Sequence, residues 1–304
     1  MVCHFFGARQ FKMSSCYEYK AFACEAPRLR SVGRAYILTM ANSTRLTESR
    51  LSTLRQLCRT TVVQYNHKAR SGCRKPECTQ KSNFDIVHAY QAACRHAEAK
   101  GGGPVLFLED DAIVRLDVTQ EEFDLVDEFV RTRGFDVYTF GSIGVVPPWG
   151  NSGDHYSMLM LWHAQATIWS HETRRKLIGA DVSTIPHIDA HFLSSLKLKF
   201  KFRRPLIVQT FPNSVNSALW CLHCQDDALG RLEKWGAGVW SKWYRDSLKL
   251  DEYVLPGWDI LNLLTHVSFG VVTLLLCIVT GIVVALALRF FARCAKPDKK
   301  RHLL

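Results

Sequence analysis

Within MVCHFFGARQFKMSSCYEYKAFACEAPRLR, the first thirty residues, no apolar stretch runs without interruption, so the opening does not look like a secretory signal peptide. Internal repeats and low-complexity tracts are also missing, which leaves a globular chain rather than a repeat array. Charged residues make up only 22% of the 304, against 47% hydrophobic and 11% aromatic, a balance that argues against general disorder. Such a chain buries a sizeable core, as one large domain or two closely joined ones. The eleven cysteines show no tight metal-binding pattern. CRKPEC (Cys73, Cys78) and CLHC (Cys221, Cys224) are loosely spaced and far apart, leaving zinc half-sites, disulfides and free thiols all open.

Charge is absent altogether from VSFGVVTLLLCIVTGIVVALAL, residues 267–288. These 22 residues suffice to cross the ~30 Å hydrocarbon core as a helix, and a buried core helix rarely lacks a polar face for so long. Trp258 and His266 before the stretch, and a basic cluster after it, fit the two interfaces. Cys277 inside it reads as a packing residue, and Cys294 just beyond suits reversible palmitoylation. The formal charge of +11 is correspondingly uneven: residues 289–304 carry six basic side chains against Asp298 alone. What remains is compatible with anionic ligands and does not require nucleic acid. The positive-inside rule places the basic tail in the cytosol and the large N-terminal part on the other side. The opening residues conflict with that, and a tail-anchored protein facing the cytosol is the alternative.

Residues 1–31 show little periodicity and read as a variable extension. RAYILTM then predicts a strand, and NSTRLTESRLSTLRQL (42–57) a helix with leucines 46, 51, 54 and 57 at helical spacing and Asn42, Ser43 or Thr44 as cap. CRTTVVQYN predicts a second strand. FDIVHAYQAACRHAEAKGGG (84–103) reads as a helix ended by glycines, and PVLFLEDDAIV as a third strand. This order predicts a mostly parallel sheet with its ligand at the carboxyl ends of the strands. TQEEFDLVDEFVRTRG (119–134) is an amphipathic helix, FDVYTFG a strand, and SIGVVPPWGNSGDHYS a candidate substrate loop. QATIWS is a strand, HETRRKLIGA a helix capped by Ser170, IPHIDAHF places an acid beside a helix start, and RRPLIVQT closes the α/β part.

Glu109, Asp110 and Asp111 end the third strand. Strand alternation would turn Glu109 and Asp111 to one face and Asp110 to the other. Two carboxylates side by side repel unless a cation joins them, and Mg²⁺ or Mn²⁺ takes oxygen ligands while leaving positions for phosphate. The arrangement points to a metal bridging protein and a diphosphate. A plainer reading pairs the acids with nearby arginines.

Taken in order, these motifs resemble glycosyltransferase family 25, the group of lipooligosaccharide and procollagen galactosyltransferases. In that family a strand and an Arg-bearing turn open the domain, a helix with a His follows, and VLEDD comes about twenty residues later. Here Arg45 lies in TMANSTR, and His88 precedes Glu109 by 21 residues. QATIWSHETRRKLI, PHIDAHF and RPLIVQTFPNSVNS are similar to the family's later elements, so the resemblance spans about residues 34–217. The opening turn lacks the family's Asn and is a residue short, and PHID carries an inserted His187.

The resemblance implies a GT-A-like α/β fold, inversion at the anomeric carbon, a UDP-sugar donor (usually UDP-galactose) and Mn²⁺ or Mg²⁺. Glu109 and Asp111 are then the metal ligands and Asp189 the catalytic base, while Arg45, His88, Asp110 and Gln209 contact the donor. Each has a bland counterpart: Asp189 as a helix cap, His88 as a structural helix residue, His187 and His191 as packing histidines, Arg45 as solvated, and Gln209 as an ordinary strand end. The expected organisation is an extension (1–31), a catalytic domain (32–217), a Trp-rich membrane-proximal segment (218–260), a single transmembrane helix (261–290) and a basic tail (291–304). The Trp-rich part packs on the domain, lies at the interface or stacks sugars. Partners are the nucleotide-sugar donor, a glycan or protein acceptor, and a membrane, expected to be that of the ER or Golgi with the domain luminal. The rival reading is a non-catalytic surface or adhesion protein that retains the fold.

Overall fold

The computed structural model describes residues 16–67, 73–141, 143–147, 149 and 151–209, with 259, 260, 262, 263, 278, 280, 281 and 284 beyond them. The chain runs β1 (Tyr17–Ala23), β2 (Arg34–Met40), α1 (Glu48–Leu54), β3 (Thr60–Asn66), α2 (Ser82–Glu98), β4 (Val105–Glu109), β5 (Ala112–Val114), α3 (Gln120–Thr132) and β6 (Val137–Thr139). Short strands β7 (Ile143–Val145), β8 (Asn151–Ser152) and β9 (His155–Ser157) follow in the Gly/Pro-rich region expected to be a loop. Then come β10 (Met160–Trp162), β11 (Ala166–Trp169), α4 (His171–Gly179), a π-helical turn at Ile188–Leu193, β12 (Lys199–Phe202) and β13 (Ile207–Gln209).

Nine strands form one mixed sheet in the order β1-β3-β2-β4-β11-β6-β12-β9-β8. The ladders β3–β2, β2–β4 and β6–β12 are parallel, as α/β alternation predicts. The other ladders are antiparallel, so the sheet is more mixed than the sequence suggested. The reason lies at β11, which enters between β4 and β6. Between β6 and β11 the chain makes only short strands, and without a helical crossover the returning strand arrives reversed.

Both faces of the central strands are covered. Tyr36, Leu38, Val105 and Phe107 join one core with Tyr90 and Ala93 of α2 and Leu177 of α4. Their alternate neighbours Ala35, Ile37, Leu106 and Leu108 join the other, with Leu54 of α1 and Phe123 and Val126 of α3. Burial on two faces is why these strands read as continuous apolar runs. Thr119 and Glu122 form a reciprocal capping box at the start of α3, and Ser170 caps α4 as expected. α1 begins only after Thr47, five residues later than the leucine spacing implied, because residues 41–46 form a turn.

Within the expected extension, Tyr17–Ala23 forms an edge strand on β3. A Cys16–Cys73 disulfide ties its start to the segment before α2, so Cys73 is not paired with Cys78, which is a free thiol. Residues 1–15, CLHC, Cys277, Cys294 and nearly all of the Trp-rich and basic segments lie outside the described residues. Among the described residues no helix is long and apolar enough to cross a membrane; most of 267–288 falls outside them.

Candidate active site

β4 carries the acids to the carboxyl end of the parallel strands. Continuing its alternation, Glu109 falls on the face covered by α2, where the Tyr90 hydroxyl donates to its Oε1 at 3.3 Å. The backbone N–H of Glu109 is held by the Gln165 carbonyl at 2.9 Å. The strand ends there. Asp110 and Asp111 form a turn before β5, so the expected opposition of their side chains is lost and both face the β2–α1 loop.

That loop supplies a dense set of donors. Asp110, 2% exposed, accepts from Thr39 Oγ1 at 2.8 Å and Ser43 Oγ at 2.7 Å, and pairs with Arg45 at 2.9 Å. The same guanidinium reaches Asp111 Oδ2 at 3.2 Å. Arg50, from the first turn of α1, braces the loop by donating to the carbonyls of Arg45 (2.7 Å) and Asp110 (3.0 Å). Asp110 is therefore satisfied in full, as the plainer reading anticipated. Asp111 is not: its Oδ1 is buried without a hydrogen-bond partner.

Electrostatics sharpen the contrast. Burial and the neighbouring carboxylates of Asp111, Asp189 and Asp110 push Glu109 up to about 8, with Arg45 only partly opposing them. Burial lifts Asp111 to about 6 despite Arg45 and Arg50. Arg45 and Arg50 together do not offset the burial and mutual repulsion of these carboxyl groups.

Asp189 joins the cluster from the π-helical turn, whose Ile188 and Leu193 pack into the same core as Tyr90 and Phe107. Its Oδ2 accepts the backbone N–H of His163 at 3.0 Å and its Oδ1 that of Ala190 at 2.7 Å. Asp189 lies inside the π-helical turn, whose cap position is His187, so its grip on Ala190 resembles the capping role weighed for it without being an ordinary N-cap. His163 takes a left-handed conformation (φ 68°), which lets the chain swing from β10 into β11 while its N–H faces Asp189. Burial holds its imidazole down to about 4, with Asp189 opposing. Gly141 is a close-approach position: a Cβ there would lie 1.9 Å from the Ile207 carbonyl, and its own carbonyl accepts from buried Gln165 at 3.0 Å.

Of the residues the sequence picked out, Glu109, Asp110, Asp111, Arg45 and Asp189 converge. Gln209 stands at the end of β13 opposite Ala112, the residue after Asp111, which brings it beside the turn. His88 goes elsewhere. Two residues before Tyr90 on α2, it lies about 200° around the helix, where its Nδ1 and the Tyr17 hydroxyl of β1 share a hydrogen bond of 2.6 Å, with burial pushing it down to about 4. His187 and His191 stack on each other, ring centroids 5.7 Å apart. Sequence reasoning missed Tyr90, Thr39, Arg50, His163 and Gln165. Only Ser43, weighed as a cap, was in view, and it serves Asp110 instead.

The fit of a divalent cation can be tested on the donors themselves. Among the described residues no group of three or more His, Cys, Asp or Glu side chains is placed to hold a metal. The protein thus offers a partial oxygen set, chiefly Glu109 and the orphaned Asp111 Oδ1. That suits a hard ion held by one or two carboxylates and completed by substrate phosphates and water.

No protein-family model matches the sequence, and comparison with curated proteins gives no significant match. Among solved structures, A197 from STIV aligns with a TM-score of 0.37 at 13% identity, over 58% of this chain and 83% of that one. UTP-bound UGPase from Acinetobacter baumannii gives 0.36 and 11%, over 73% and 96%. UDP-glucose pyrophosphorylase complexed with UDP-glucose gives 0.32 and 7%, over 56% and 90%. Likenesses at these scores carry no argument for what this chain does.

Proposed function

We propose that the chain is a membrane-anchored, metal-dependent glycosyltransferase of the family 25 type, moving a sugar, galactose first among them, from a UDP-sugar to a glycan or protein hydroxyl with inversion. The observation that carries this reading is the buried Asp111 Oδ1 without a partner, set among carboxylates whose charge is undercompensated. Glu109 and Asp111 are the residues that would hold a divalent cation, and the chemistry it would supply there is stabilisation of charge developing on the leaving diphosphate. In this reading Arg45, which pairs with Asp110 and Asp111, contacts the donor's diphosphate. Asp189, fixed by two backbone N–H groups, takes the proton of the acceptor hydroxyl as its oxygen bonds to the anomeric carbon. The bond from that carbon to the diphosphate breaks, and its electron pair leaves with UDP. The Cys16–Cys73 disulfide supports an oxidising compartment, in keeping with a luminal domain and a cytosolic tail.

A second reading has its own support. Arg45 spans Asp110 and Asp111 as a built-in counter-ion, as expected of a retired site in a surface protein. Incubating the full chain with several UDP-sugars, with and without Mn²⁺, separates the two. Mn²⁺-dependent release of UDP that Asp111→Asn abolishes, without a change in the thermal transition of the metal-free protein, is the expected result. No turnover with any donor, or a large loss of stability in that variant, favours the ion-pair reading.

A further inference from the structure

Residues 259, 260, 262 and 263 are helical and meet the α/β domain with their polar face. Asp259 and Asn262, three apart and so on one side, both reach the α/β domain, Asn262 half-buried and Asp259 with its side chain still 53% exposed. Asp259 pairs with Arg115 at 2.7 Å. Asn262 donates to the Arg203 carbonyl at 3.0 Å and accepts from the ammonium of Lys201. Arg115 and Lys201 are both buried, so these contacts satisfy cations that water does not reach. Ile260 and Leu263, also three apart, point the other way and are 47% and 61% exposed; Leu116, beside Arg115, is 89% exposed. A surface helix of a water-soluble protein does the reverse, burying its apolar stripe.

Chain length places this face. Leu263 is four residues before Val267, at most about 14 Å of extended chain from the start of the uncharged stretch. Within that stretch the described residues Ile278, Thr280, Gly281 and Val284 are helical and exposed, not packed against protein.

We propose that Leu116, Ile260 and Leu263 form a lipid-contact surface that seats the domain directly on a phospholipid bilayer, with Asp259 and Asn262 clamping it in one orientation. The inference rests on the membrane-anchored part of the function proposed above and adds that the anchor is a rigid mount, not a loose tether.

The test uses the full chain in phospholipid nanodiscs, with the photoreactive substitution Leu116→p-benzoylphenylalanine and the same replacement at exposed Arg175 on α4 as control. A lipid adduct at 116 and none at 175 is expected. Combining the label at 116 with Asp259→Ala and Asn262→Ala should then lose the adduct while the chain stays in the nanodisc. No adduct at 116 in a chain that remains in the nanodisc overturns the lipid-contact surface and leaves the anchor standing. An adduct that survives the double substitution overturns the clamp. Recovery of the chain outside the nanodisc overturns the anchor and this inference together.

Discussion

Under the proposed function Asp189 is the base and Glu109 a metal ligand, and each gives a distinct prediction. A general base contributes about 10²–10⁴-fold to rate and acts on the acceptor, so Asp189→Asn should slow transfer by about that factor while Mn²⁺-dependent UDP binding stays near wild type. Parallel kinetics and nucleotide titration check this; an equal loss of binding would put Asp189 in the metal shell. Glu109 gives a pH dependence. Its pKa is raised in the folded state, so the folded protein holds more protons than the unfolded one between about 4.5 and about 8. The stability it contributes is whole below that window and is lost as pH rises through it. The melting temperature of the metal-free protein should therefore fall from pH 5 to pH 8, and Glu109→Gln should flatten that fall. Added Mn²⁺ should raise the melting temperature most at the upper end, where it no longer competes with protons. The acids themselves were legible because three carboxylates cannot follow VLFL without a cause. Tyr90 and His163 were not, since the sequence does not show that α2 turns Tyr90 rather than His88 toward β4.

At the scale of elements, periodicity located α1 to α4, and the apolar runs located the central strands β2, β3 and β4, because burial on one or two faces writes itself into the spacing of apolar residues. It failed where a backbone hydrogen bond or a crosslink decides. β1 was overlooked because an edge strand pairs through its backbone and is fixed by Cys16–Cys73, a pairing that no spacing reveals. The helix drawn over 42–57 was too long because Ser43 and Arg45 are committed to Asp110, and that pull keeps the turn open. Gly141 tests how tightly β6, β11 and β13 are joined. With 1.9 Å of room for a Cβ, Gly141→Ala forces backbone apart and should cost about 1–3 kcal/mol, read by chemical denaturation. Because the same shift moves Gln165, which holds the Glu109 N–H, UDP binding should weaken in that variant as well.

For the molecule as a whole, the boundary of the folded unit lies further along the chain than the last strand suggests. Closure of the sheet by residue 209 invites truncation before Leu261, but that cut deletes Asn262 and strips buried Lys201 of its acceptor. Burial already pulls Lys201 down to about 7. A chain ending at residue 258 should melt lower than one ending at residue 266, and the gap should narrow in Lys201→Met, which needs no acceptor. Equal melting temperatures would show that Asp259 and Asn262 add nothing to the domain.

The place of β11 in the sheet also sets a timetable. β4, the strand that delivers the acids, has β2 on one side and β11 on the other, and β11 begins at Ala166, some sixty residues after β4 starts. As the chain emerges from the ribosome, β2, β3 and β4 can pair early, but the far edge of β4 stays open until β11 appears. The Gln165 carbonyl that holds Glu109 arrives with it, and the π-helical turn bearing Asp189 comes later still. Long-range pairings of this kind form slowly. A nascent chain stopped short of Ala166 therefore presents an unpaired apolar edge and no site, and chaperones would meet it in that form.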